Sequence, residues 1–128
     1  MTTVMAFGTF DGLHPGHRHY LESARSYGDE LVVVVARDRN VRRLKRKRPE
    51  QKERARLAAV AGTGLADRVY LGRRFNRYKI LRKQQPDVVC LGYDQAADEK
   101  ELARQFAGRI VRLDAYQPDK YKSSLMGE

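Results

Sequence analysis

The sequence is poor in the features that would place a protein outside a reducing, aqueous compartment. Its one cysteine, Cys90, leaves no internal disulfide to form, and in such a setting it reads as a small buried hydrophobe in a strand. The longest apolar run, Leu31 to Ala36, is strand-sized and falls far short of the ~20 residues that cross a bilayer. The first residues carry no charged start, apolar stretch or small-residue cleavage site of a secretory signal. A cytoplasmic, soluble protein with no membrane attachment is the expectation. Acidic residues are also scarce: 16 Asp and Glu against 26 Lys and Arg leave a formal charge of +10. An anionic partner is therefore expected.

What is present begins with that basic excess, because it is local. From Arg37 to Arg48, eight of twelve residues are Arg or Lys. Nucleic acid and compact polyphosphates such as nucleotides both suit such a run, and charge alone does not choose between them. A length of 128 residues is that of one domain spanning 1–128, able to bury roughly two-thirds of its unfolded surface.

Strand-length apolar runs alternate with longer segments of helical period, the pattern of a parallel sheet covered on both faces. Strands are predicted near Thr3–Phe7, Leu31–Ala36, Arg68–Leu71, Val88–Leu91 and Arg109–Leu113. Helices are predicted from Pro15 to a stop at Gly28, with Tyr20, Leu21, Ala24 and Tyr27 on one stripe, and near 50–61, 77–85 and 99–106. In the second of these, Leu57, Val60 and Ala61 are expected inward, and residues 37–48 read as a polar connection. Five strands and four right-handed helical crossovers make one doubly wound, Rossmann-like α/β domain with a five-stranded parallel sheet. Ligands of such sheets bind beyond the carboxyl ends of the strands, which directs attention to loops 8–17, 37–48, 92–98 and 114–124.

The first of these loops carries the strongest signal, Gly8-Thr9-Phe10-Asp11-Gly12-Leu13-His14-Pro15-Gly16-His17, between a strand and a helix. Proline at the first helical position presets the backbone without wasting an amide donor. Gly16 leaves room where a ligand could approach the helix start. A helix N-terminus offers free N–H groups and a partial positive charge to phosphate. His14 and His17, three apart, can face the same way, and imidazole donates to phosphate oxygens in either protonation state. A metal pair is not expected, because no third His, Cys or carboxylate cluster accompanies them. His19, two positions past His17, reads as a surface or packing residue.

This block resembles the His-x-Gly-His signature of the cytidylyltransferase-like nucleotidyltransferases, and the preceding Gly-Thr-Phe-Asp matches as well. The resemblance extends over nearly the whole chain. It implies transfer of AMP or CMP from a nucleoside triphosphate to a phosphorylated small molecule, with release of pyrophosphate. It implies His14 and His17 on the phosphates, His17 stabilising the transition state, and Thr9, Phe10 and Asp11 in the nucleotide loop, with Asp11 ordering the loop or binding a ligand group. Lys45 and Lys47 match the lysines that neutralise the triphosphate, Lys45 with a catalytic part, and Arg54 resembles an arginine facing the nucleotide.

Leu91-Gly92-Tyr93-Asp94-Gln95 resembles the archaeal-type FAD synthetases, which transfer AMP to FMN; Gly92 permits a tight turn and Asp94 can reach base, ribose or acceptor. Lys122, Ser123 and Ser124 resemble a segment that binds the outer phosphates. Here the chain departs from the cytidylyltransferase pattern, with no Arg-x-x-Gly-Ile-Ser block and only Lys120 and Lys122 to supply charge, and it lacks the C-terminal cysteines of the archaeal enzymes. The implied partners are ATP or CTP, Mg2+ or another divalent cation with the triphosphate, and an acceptor such as FMN. The implied assembly is a homodimer. Cytidylyl transfer to glycerol 3-phosphate or a sugar phosphate is the alternative within the family. Outside it stands a basic nucleic-acid-binding module, a partner class that the paired histidines do not call for. A nucleotide-sensing relative without turnover is the third reading.

Overall fold

The computed structural model describes residues 1–45, 48–72, 78–92 and 99–113. Five strands form one all-parallel sheet, β1 (Thr3–Gly8), β2 (Glu30–Val35), β3 (Arg68–Leu71), β4 (Val88–Leu91) and β5 (Arg109–Arg112), in the order β3-β2-β1-β4-β5. The central strands are apolar on both faces because both faces are covered. Val4, Ala6, Val33 and Val35 pack with Leu21 and Ala24 of α1 (Pro15–Arg25) and Val60 of α3 (Glu53–Gly62). Met5, Val32, Val34 and Val89 pack with Ile80 and Leu81 of α4 (Lys79–Gln84) and with Leu102 of α5 (Glu99–Gln105). The winding reverses between β1 and β4, the position at which an open parallel sheet leaves a crevice.

Two expected elements differ. The polar connection contains a helix, α2 (Asp38–Lys45), in which Asp38 occupies the first turn and Val41 is buried. The density of cations masks this amphipathic turn in the sequence. In α1 the helix ends at Arg25, with Ser26 as cap, before Gly28 is reached. Gly28 has a packing reason instead: a Cβ there would lie 2.7 Å from the Thr2 carbonyl oxygen and from Val4. Tyr27, expected inward, is exposed with the Arg109 guanidinium 5.4 Å from its ring centroid.

The inward face of α3 also differs, and the consequence reaches the loops. Arg56 is fully buried, while Ala61 is exposed. The Arg56 guanidinium donates to the carbonyl oxygens of Thr9 (2.8 Å), Ala36 (2.8 Å) and Gln51 (2.9 Å) and to Asp38 Oδ1 (2.6 Å). One side chain thus ties the loop after β1, the end of β2, the start of α2 and the approach to α3. Burial pushes the Asp38 carboxyl up, but hydrogen bonds from Arg56 and the Glu53 amide outweigh it and hold the group below its ordinary value. A buried guanidinium is tolerated only where its donors are met, and removing one partner of such a set strands the others.

Arg56→Met should therefore destabilise the fold by about 3–5 kcal/mol, read as a drop in the urea midpoint with the m-value retained. An equal midpoint would show that the guanidinium does not hold these loops.

Candidate active site

The segment between β1 and α1 is built from the backbone upward. Phe10 adopts φ 56°, a left-handed conformation that costs a bulky residue of order 1–3 kcal/mol. Its ring is buried, 5.5 Å edge-on from His17 and 6.2 Å from Tyr20. That burial holds the strained backbone and places Phe10 beneath the site as a support for the His17 ring. Asp11 accepts from the amides of Glu50 (2.8 Å) and Gln51 (2.9 Å), while the Gly12 amide donates to Gln51 Oε1 at 3.0 Å. Asp11 is a loop-ordering residue in this geometry, stitched to the approach to α3. Thr9 takes part through its carbonyl, on Arg56.

His14 is the cap of α1. Its Nδ1 accepts from the Gly16 amide at 3.1 Å, and its own amide donates to Nδ1 of His17 at 3.3 Å. This is a capping box written in imidazole, with Pro15 beginning the helix. Because both Nδ1 atoms accept, each neutral ring carries its proton on Nε2. The rings stack with centroids 3.8 Å apart and 22° between planes, side by side at one helix start. Gly16 is required by this arrangement: a Cβ there would lie 2.9 Å from His14 Cε1. The His14 ring takes up part of the space that Gly16 leaves at the helix start.

The Tyr20 hydroxyl closes the β1–β4 fork from below. It lies 3.0 Å from the Phe7 carbonyl and 2.9 Å from the Cys90 carbonyl and accepts from the Phe7 amide at 3.2 Å. Burial pushes its phenol well above the ordinary tyrosine value, so it is a structural bridge. Cys90 is buried, as its strand context suggested, and burial raises its thiol to about 11. His19 lies with Nε2 3.4 Å from Ser23 Oγ, one turn along α1.

Beside this loop, α2 and the start of α3 frame an open cleft of about 590 Å³. Arg37, Arg39, Arg42, Lys52 and Arg54 line it with two carboxylates, Asp38 and Glu53. These carboxylates brace the two helices reciprocally: the Asp38 amide donates to Glu53 Oε1 (2.9 Å) and the Glu53 amide to Asp38 Oδ2 (3.2 Å). Arg54 thus opens into the cleft, and Arg56, two positions on, is the arginine that reaches the histidine loop. Arg56 was missed because a charged residue is ordinarily read outward; its signal is its place at i, i+1, i+4 with Leu57 and Val60. Gly92 ends β4 with its carbonyl accepting from Arg112 at 2.6 Å, and Arg112 also pairs with Glu99. Lys45 closes α2, but its side chain lies outside the described residues, as do Lys47, Asp94, Lys122, Ser123 and Ser124.

Known proteins resemble this chain along most of its length. The model of the family described as cytidylyltransferase-like matches residues 5–125. An FAD synthase of Aciduliprofundum boonei is 45% identical over 124 residues, covering 97% of this chain and 83% of its own. An FAD synthase of Methanothrix thermoacetophila is 45% identical over 129 residues, covering 97% and 89% respectively. A solved structure described as the lipopolysaccharide core biosynthesis protein from Thermoplasma volcanium superposes with a TM-score of 0.84. That chain is 43% identical, and the match covers 91% of this chain and 99% of its own.

The cap also has a pH signature. Burial holds the His14 imidazole below its ordinary value, so the unfolded chain takes up this proton at a higher pH than the folded one. The stability contributed by His14 is complete above the unfolded value, near ~6.5, and is lost as pH falls through the folded one. Between roughly pH 7 and pH 5 the unfolding midpoint of the wild type should fall relative to that of His14→Asn, which keeps a cap acceptor and does not titrate. Parallel midpoints would remove His14 from this role.

Proposed function

This chain belongs to the cytidylyltransferase-like family and is a nucleotidyltransferase, and from that premise we propose that it transfers AMP from ATP to FMN, as an FAD synthase. The observation that carries nucleotidyl transfer is the stacked His14–His17 pair at the start of α1, with both Nδ1 atoms committed to backbone amides. FMN as acceptor is supported by relatives named FAD synthase that match nearly the whole chain.

A phosphate monoester is already an anionic nucleophile near neutral pH, so no general base is required. An oxygen of the FMN phosphate forms a bond to the α-phosphorus; the bridge between α- and β-phosphates breaks, and pyrophosphate leaves with the electron pair. The difficulty lies in gathering negative charge and stabilising the extra charge at the α-phosphorus, which positioning and fixed donors accomplish. His14 and His17 donate from Nε2 to the triphosphate, His17 to the α-phosphate. Lys45 and Lys47 neutralise its charge, with Arg54 at the basic side. Gly92 and Asp94 meet the base and ribose, and Lys122, Ser123 and Ser124 the outer phosphates.

Among the described residues no group of three His, Cys, Asp or Glu is arranged to hold a metal ion. ATP is therefore proposed to enter as its magnesium complex, with the ion kept by phosphates and water. A single domain over residues 1–128, a homodimer and a cytoplasmic location complete the proposal. Among the described residues no helix is long and apolar enough to cross a membrane.

Cytidylyl transfer to glycerol 3-phosphate or a sugar phosphate is the second reading, supported by the match to the cytidylyltransferase-like family model. Pyrophosphate release measured with ATP or CTP against FMN, glycerol 3-phosphate and phosphopantetheine separates the two. Release that needs ATP and FMN together is expected; release with CTP and glycerol 3-phosphate alone would replace the first reading by the second. His17→Ala should lower kcat by about 10²–10³. It should cost about 1 kcal/mol in stability, since it removes one arm of the capping box. Near-normal turnover in a folded variant would take His17 out of the mechanism.

A further inference from the structure

We propose that the cleft between α2 and the start of α3 is the subsite for the phosphate of the acceptor, a phosphomonoester dianion. The inference deepens the reading of the chain as an FMN adenylyltransferase and rests on it.

The charge of the cleft is unbalanced in a specific way. Its two carboxylates are engaged, Asp38 with Arg56 at 2.6 Å and Glu53 with Arg37 at 3.4 Å, besides the amides they accept from each other's helix. Arg42, Lys52 and Arg54 line the same concavity and make no ion pair among the described residues. Like charges crowded into one concavity raise the local positive potential, which draws an anion of matching charge density. A volume of about 590 Å³ is that of a small-molecule site.

The position of the cleft selects which anion. It lies beyond β2, while the crevice of the sheet lies between β1 and β4, on the opposite side of β1. A nucleotide seated in that crevice with its phosphates on His14 and His17 leaves the β2 side for the second substrate. Arg56 touches the Thr9 carbonyl of the histidine loop and Asp38 in the wall of the cleft, so one guanidinium separates the two places. In-line displacement needs the attacking oxygen opposite the leaving pyrophosphate. A cationic cleft on this flank offsets repulsion between acceptor dianion and triphosphate and brings the attacking oxygen in from that side.

The test uses the exposed residues Arg42 and Lys52 in the whole protein. Binding of FMN and of riboflavin, which lacks the phosphate, is read by flavin fluorescence for the wild type and the Arg42→Ala/Lys52→Ala variant, together with KM for FMN and for ATP. The double variant should weaken FMN binding at least about tenfold, with riboflavin binding and KM for ATP within about twofold of wild type. Unchanged FMN affinity in the variant overturns the cleft assignment alone. A rise in KM for ATP without loss of FMN affinity assigns the cleft to the triphosphate and overturns it as well. A wild type that binds no FMN overturns both the subsite and the FMN reading.

Discussion

A guanidinium with no access to water holds the carboxyl edge of the sheet in place. Arg56 is fully buried, and a charge in that position costs several kcal/mol unless its donors are matched. The match comes from carbonyls that strand ends and helix approaches leave over, those of Thr9, Ala36 and Gln51, and from the Asp38 carboxylate. A lysine could not replace it, since a single ammonium on a flexible stem lacks the planar fork that meets several acceptors at once. The positions of two loops are thereby coupled. Neither the turn after β1 nor the turn after β2 can shift without leaving a buried donor unmet.

That coupling explains how a loop containing a strained residue stays in one shape. Phe10 keeps its left-handed backbone because its ring is buried beneath His17 while Arg56 grips the preceding carbonyl. Asp11 and Gly12 are then fastened to residues 50 and 51. The chain enters α1 at a defined angle, and the His14 ring falls where it accepts from the helix it caps. The donors of the site are held by hydrogen bonds made before any ligand arrives. Such preorganisation is what makes a donor effective against charge that develops only in the transition state.

Much of this was legible in the sequence where periodicity or a dense motif spoke. β2 announces itself by four consecutive valines, and the Gly8–His17 block by proline, glycine and paired histidines in the order that a strand-to-helix turn demands. Charge hid the rest. The basic run conceals α2, because Val41 is a lone apolar anchor among cations, and the same habit of reading arginines outward moved attention to Arg54 while Arg56 went inward. Gly28 was noticed for the wrong reason, since what it avoids is Thr2 and Val4, neighbours brought close only by the fold. Spacing along a chain reports local geometry; it does not report which atoms arrive from 47 residues away, as the Arg56 guanidinium does at Thr9.

In the proposed reading the histidine pair and the cations of the cleft meet different demands of phosphoryl chemistry. Only the part of an interaction that grows with the charge developing at the α-phosphate speeds the reaction, whether it comes from a neutral donor or a cation. In the proposed mechanism the His14 and His17 imidazoles donate from Nε2, and those hydrogen bonds strengthen as negative charge grows at the α-phosphate. His14 is held below its ordinary pKa by burial. In the proposed subsite the arginines of the cleft would meet a different demand, the capture of a whole anion from water, for which permanent charge at the surface is suited. Arg56 belongs to neither group. Its charge is spent on the backbone, and it is the part that keeps the weak donors and the strong cations at a constant separation.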